Sequence, residues 1–207
     1  MDFTYWLPDE NGNKTENKAV LNSVIIIGAN GSGKSKLGAW IEQQDMSNIH
    51  RIGAQRNLNF KENIPLKSYS QAEDFVLFGT DDESGKSDRN KGYRWGWGNF
   101  TTQLLNDFDD VLAAIIALKN NDNDKFAQEC KAASNKDAYP DPPLTAIDKL
   151  ILIWNEIFPQ RNLKVVDSKF IAYFDKNGRT VEYSSTQMSD GERAVLYLAA
   201  QVLCVPQ

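Results

Sequence analysis

The eight residues Gly28-Ala29-Asn30-Gly31-Ser32-Gly33-Lys34-Ser35 constrain this chain more than any other stretch. They match G-x-x-x-x-G-K-S without a break and lie between a β-branched run, residues 22–27, and an amphipathic helical pattern over residues 34–44. Glycines at these places let a backbone wrap an anion, successive N–H groups turn inward, and the amino terminus of the following helix adds a favourable dipole. In that geometry Lys34 reaches the β- and γ-phosphates of a nucleotide and Ser35 ligates Mg²⁺ through its hydroxyl, so a nucleotide and Mg²⁺ are the expected ligands. Residues 22–27 do not alternate, which predicts a strand buried on both faces of a largely parallel sheet.

The rest of the chain places this motif in an α/β context. Residues 3–7 read as the first strand of a hairpin turning at Asn11-Gly12, and residues 49–55 as another short strand. Residues 67–78 turn helical before a polar excursion over 80–98. Helical patterns follow at 100–119, 124–134 and 144–158, the last introduced by Pro140-Asp141-Pro142-Pro143, so that residues 67–160 form a predominantly helical insertion. Strand character returns at 163–166 and 170–174, and Lys176-Asn177-Gly178 supplies a hairpin turn into 180–183. Ser189 or Asp190 caps a last helix that runs to Cys204 and ends at Pro206.

Composition removes several classes of function. Twenty-three Lys and Arg against 28 Asp and Glu give a net charge of −5, without the overall cationic field of a nucleic-acid coat. The longest apolar run, residues 111–118, is far short of the roughly 20 needed to cross a bilayer, and it reads as helix core. The amino terminus lacks a signal-peptide pattern, which places the chain in the cytoplasm. Two cysteines far apart and one histidine, His50, argue against zinc and against a disulfide framework. Residues 86–97 mix Lys86, Arg89, Lys91 and Arg94 with Tyr93, Trp95 and Trp97. That mixture is compatible with stacking on single-stranded nucleic acid, and the plainer reading is a loop that packs its tryptophans on neighbouring helices.

A phosphate loop does not choose among GTPases, kinases and motor ATPases. Asn135-Lys136-Asp137-Ala138 puts the acid one position too early for the guanine-reading N-K-x-D motif, and no arginine-rich lid marks a nucleotide kinase, although Arg89 and Arg94 keep that reading open. The segment Gln187-Met188-Ser189-Asp190-Gly191-Glu192-Arg193-Ala194 resembles the L-S-G-G-Q signature of the ABC-type ATPases in a variant S-x-G-E form. It departs at Met188, Asp190 and Glu192, and in this it is similar to the standalone bacterial ATPases of the AAA-21 group, related to the overcoming-lysogenization-defect (OLD) nucleases. The resemblance covers the phosphate loop with its flanks and the last twenty or so residues. It implies a phosphate-loop NTPase fold with an ABC-ATPase-like mixed sheet and a helical insertion. Residues 1–207 would be the amino-terminal part of one such domain, with the signature motif and helix at 185–205.

The resemblance also implies a mechanism. Two chains sandwich ATP as a homodimer, and Ser189, Gly191 and Glu192 act in trans on the γ-phosphate held by the partner. Gln55 looks like the glutamine that touches Mg²⁺ and the attacking water, which makes Lys34 and Gln55 the expected catalytic side chains. A plain capped helix is the alternative reading of Ser189-Asp190-Gly191-Glu192. ABC-type hydrolysis needs an aspartate and a glutamate after an apolar strand that follows the signature helix, and a switch histidine beyond it. Neither occurs here, since Asp175 sits in a hairpin turn and Asp81, Asp82 and His50 precede the signature, so nucleotide binding is expected ahead of hydrolysis. The leading expectation is a Mg²⁺-dependent ATPase working as a nucleotide-dependent dimer in a nucleic-acid or phage-defence system. The alternatives are a nucleotide-gated scaffold for an effector such as a nuclease, and a phosphate-loop kinase.

Overall fold

A computed structural model describes residues 3–20, 23–86, 91–98 and 100–205. Asn22, Arg89 and Pro206, which figure in the expectations above, lie outside the described residues. The described residues form a mixed α/β structure of five α-helices and two small antiparallel sheets.

Strands β1 (Phe3–Pro8) and β2 (Lys14–Ala19) pair as the expected hairpin. Gly12 supplies the positive φ of 81° that the turn requires, and the Asp9 carboxylate accepts the N–H groups of Asn11 and Asn13. Helix α1 (Lys34–Gln44) follows the glycine-rich residues 28–33, and α2 (Tyr69–Phe78) begins on a Ser68 cap and stops at Gly79, φ 77°. Gly79 has no room for a side chain either, because a Cβ there would meet the backbone of Arg94 at 2.6 Å.

Helix α3 (Phe108–Ala132) merges two expected helices into one and starts eight residues later than its pattern predicts. The run Asn120-Asn121-Asp122-Asn123 reads as a break, but each such residue costs a helix only some tenths of a kcal/mol. The fully buried turns from Val111 to Ala117 nucleate a helix that then runs through the polar stretch. Helix α4 (Ala146–Ile157) opens with a Thr145–Asp148 capping box. The meander β3 (Asn162–Val166), β4 (Lys169–Lys176) and β5 (Arg179–Ser184) leads into α5 (Asp190–Cys204). The single core lies among α2, α3, α4, α5 and one face of the meander, with Leu112, Leu150, Trp154, Phe170 and Leu196 near its centre. No helix among the described residues is long and apolar enough to cross a membrane.

Two strand expectations are corrected. Residues 23–29 form no regular secondary structure, and Ile25 and Ile27 are 85% and 90% exposed instead of buried. A β-branched run favours an extended backbone, but a strand exists only where a neighbour takes its N–H and C=O groups. Among the described residues no neighbouring strand does so here. Residues 49–55 likewise form no strand. Their one sheet-like contact is an isolated parallel bridge, Arg56 to Leu105, in which Asn57 N–H donates to Leu105 O and Leu105 N–H to Gln55 O. The described residues therefore hold two separate antiparallel sheets in place of the expected mixed sheet.

Candidate functional site

The residues of the expected phosphate loop take conformations that explain their glycines. Gly31 and Gly33 have φ of 81° and 89°, the left-handed region that side chains avoid. At Gly28 the reason is space, since a Cβ there would lie 2.6 Å from Ser32 Oγ. Ser32 N–H donates to Ala29 O, and the Lys34 ammonium folds back to donate to Gly28 O at 2.6 Å and Ala29 O at 2.7 Å. Gly33 also caps α1 without any side-chain hydrogen bond, and the first turn, Lys34-Ser35-Lys36, contains no acid. A helix start leaves its first N–H groups without intrahelical partners, and here no carboxylate of its own answers them.

Lys34 and Ser35 open onto a cavity of about 320 Å³ that Arg51, Gln55, Trp95 and Gln103 also line. The structure thus brings together three expected site residues, Lys34, Ser35 and Gln55, although Gln55 is 20 positions downstream of Ser35. No carboxylate lines this cavity among the described residues. A second cavity of about 460 Å³ lies against the other side of the α1 start, between Gly33, Leu37 and Trp40 and the hairpin residues Pro8 and Gly12. Its lining is mainly apolar, and Phe100 and Thr101 border both cavities.

The signature residues form a different kind of helix start. Ser189 Oγ accepts the Glu192 N–H, while the Glu192 carboxylate accepts the Ser189 N–H and hydroxyl, both at 2.7 Å. Glu192 is 2% exposed and also takes Arg161 Nη1 and Tyr183 OH, each at 2.5 Å. Burial pushes its pKa up, and the hydrogen bonds from Tyr183, Ser189 and Arg161 outweigh that and hold it below the ordinary carboxylate value. Glu192 therefore faces inward and anchors β5 to α5, whereas Ser189 and Gly191 lie at the surface. None of the three lines the Lys34 cavity.

Sequence reasoning missed the polar cluster behind that cavity. Asp107, at the start of α3, accepts Arg94 Nη1 at 3.0 Å, Tyr197 OH at 2.8 Å and Gln201 Nε2 at 3.1 Å. Arg94 also donates to Val76 O, and Gln201 reaches His50 Nε2 at 3.0 Å. Burial first, then the charges of Arg94 and Lys91, lower the His50 pKa to about 3. These partners come from five chain segments, and no spacing rule joins them. In the tryptophan loop Trp95 is buried under Arg51, while Tyr93 and Trp97 form an exposed edge-to-face pair. Comparison with protein-family models, with curated proteins and with solved structures finds no match to this chain.

Proposed function

We propose that this chain binds Mg-ATP at the Lys34 cavity. The observation that carries the reading is the convergence of Lys34, Ser35 and Gln55 on one cavity that, among the described residues, holds cations and neutral polar groups and no carboxylate. Such a lining suits an oxyanion and leaves Mg²⁺ to be held by Ser35, Gln55, phosphate oxygens and water, in keeping with the few protein ligands this ion takes. Bound Mg²⁺ would neutralise charge on the phosphate oxygens. Lys34 would leave the Gly28 and Ala29 carbonyls for the β- and γ-phosphates, and the glycines would let the loop's N–H groups follow. Gln55 would orient water against the terminal phosphate.

Beyond binding, we infer an ABC-type ATPase that works as a nucleotide-dependent dimer, supported by the exposed Ser189 and Gly191 at the start of α5. The second reading, a nucleotide-gated scaffold with little turnover, is favoured by the lack of a carboxylate at the cavity among the described residues. Titration calorimetry with Mg-ATP tests the binding step: the wild type should bind, and Lys34→Ala should lose at least about tenfold in affinity with its fold intact. Equal binding by both proteins would remove the phosphate-loop reading. Light scattering with ATP, ADP or neither, run beside phosphate release, then separates the dimeric enzyme from the scaffold.

A further inference from the structure

On helix α1, Lys34, Gly38 and Glu42 follow one another at four-residue steps and so share a face. Arg51 is laid along that face. Its stem rests on Gly38, where an added Cβ would lie 3.4 Å from Arg51 Cδ, and its Nε donates to Glu42 Oε2 at 3.0 Å. The guanidinium stacks 3.8 Å from the ring centroid of Trp95, and Nη2 donates to Phe100 O at 2.5 Å. Its carboxylate partner, Glu42, is 1% exposed and is shared with the buried Lys91 ammonium at 3.3 Å.

Arg51 itself lines the Lys34 cavity. Among the described residues its Nη1 carries no hydrogen bond, and Nη1 is not among the buried nitrogens that lack a partner. The rigid planar donors of a guanidinium fit an oxyanion better than any other side chain does, and a stacked, ion-paired arginine loses little freedom on binding one. Arg51 also precedes Gln55 by four residues in the chain, and both line the cavity.

We propose that Arg51 is a second phosphate-binding side chain of this cavity and that it reads the terminal phosphate, making the site selective for a nucleoside triphosphate over a diphosphate. This rests on the nucleotide reading of the same cavity. Glu42, Gly38 and Trp95 are its positioning residues. They hold the guanidinium a helical turn beyond Lys34, so that the two cations flank one ligand.

Calorimetry on the whole chain with Mg-ATP and with Mg-ADP tests this. Arg51→Met keeps a stem for Gly38 and Trp95 and removes the fork; it should weaken Mg-ATP by about 10- to 100-fold and leave Mg-ADP within about twofold. Arg51→Lys, which keeps the charge near Glu42, should fall between. A purely structural arginine would lower both affinities together or neither, so an unchanged ATP-to-ADP ratio in both folded variants overturns the proposal while the nucleotide reading stands. If circular dichroism finds Arg51→Met unfolded, the ratio measured for Arg51→Lys decides. Failure of the wild type to bind either nucleotide removes the nucleotide reading and the proposal with it.

Discussion

Two helix starts in this molecule carry motifs of nearly the same grammar, a small polar residue or glycine followed by a turn of charged groups, and they are finished in opposite ways. At α5 the chain closes the start itself: Ser189 and Glu192 satisfy each other, Arg161 and Tyr183 seal the carboxylate, and Leu196, Tyr197 and Ala200 bury the face behind it. At α1 the cap is a bare glycine, the first turn is cationic, and the residues leading into it are exposed. The difference separates a helix start that the chain completes itself from one whose first turn no acidic side chain of its own answers. Where the chain supplies its own anion, the dipole and the free N–H groups are spent on folding; where it supplies cations and glycines, they are the groups on which the proposed phosphate site draws.

The sharpest way to break this comparison is to delete apolar side chains on the two sides. Leu196 is fully buried in the core around α5, so Leu196→Ala should lower the unfolding free energy by about 3 kcal/mol. Ile27, immediately before the phosphate loop, is almost fully exposed, and Ile27→Ala should change stability by less than about 0.5 kcal/mol. Urea denaturation followed by tryptophan fluorescence measures both. Comparable losses would mean that residues 23–29 are packed in the folded protein, and the contrast between the two regions would fail.

The seam between the regions has its own signature in pH. His50 belongs to the segment that carries Arg51 and Gln55, and its Nε2 pairs with Gln201 of α5 while its buried Nδ1 has no hydrogen-bond partner among the described residues. With a pKa of about 3 in the folded chain against 6.5 when unfolded, the ring stays neutral in the fold and takes up a proton only on unfolding. Stability is therefore full above pH 6.5 and falls as pH drops from 6.5 toward 3, with a slope of up to about 1.4 kcal/mol per pH unit. Glu192, held below its ordinary value of 4.5, adds a loss only below that pH. His50→Gln should flatten the profile between pH 6.5 and 4.5 and leave the steeper acid limb. A profile that His50→Gln does not change would show that the seam is open to water.

What the sequence made legible follows the range of the interactions involved. The Asn177-Gly178 turn, with φ of 52° and 75°, and the Ser189 cap depend on residues within three positions of one another, and both stand where the pattern puts them. The glycine pattern of the phosphate loop is equally local, and Gly28, Gly31 and Gly33 each have a conformational or spatial reason. Strand pairing is not local: the run at residues 24–27 specifies an extended backbone and says nothing about a partner. The turn between β3 and β4 was unreadable for a different reason. Asp167 and Ser168 take positive φ of 50° and 59° without any glycine to announce it. The Asp107 cluster and the stacking of Arg51 on Trp95 join residues more than 40 positions apart, and only the folded chain brings them together.

The smallest expected effect sharpens the comparison from the α5 side. Ser189→Ala removes the hydroxyl that accepts the Glu192 N–H and donates to its carboxylate, and a lost cap of this kind costs about 1 kcal/mol. The Glu192 carboxylate keeps Arg161, Tyr183 and the Ser189 backbone N–H, so the helix start frays a little without opening the core. Because Ser189 does not line the Lys34 cavity, Mg-ATP affinity of the separate chain should be unchanged while the urea midpoint falls. A matching drop in nucleotide affinity would mean that the two helix starts are coupled through the intervening Asp107 cluster, and α5 would then be part of the nucleotide site within one chain. An unchanged affinity with a lower midpoint leaves Ser189 as a cap in the single chain, with its surface position open to a second copy.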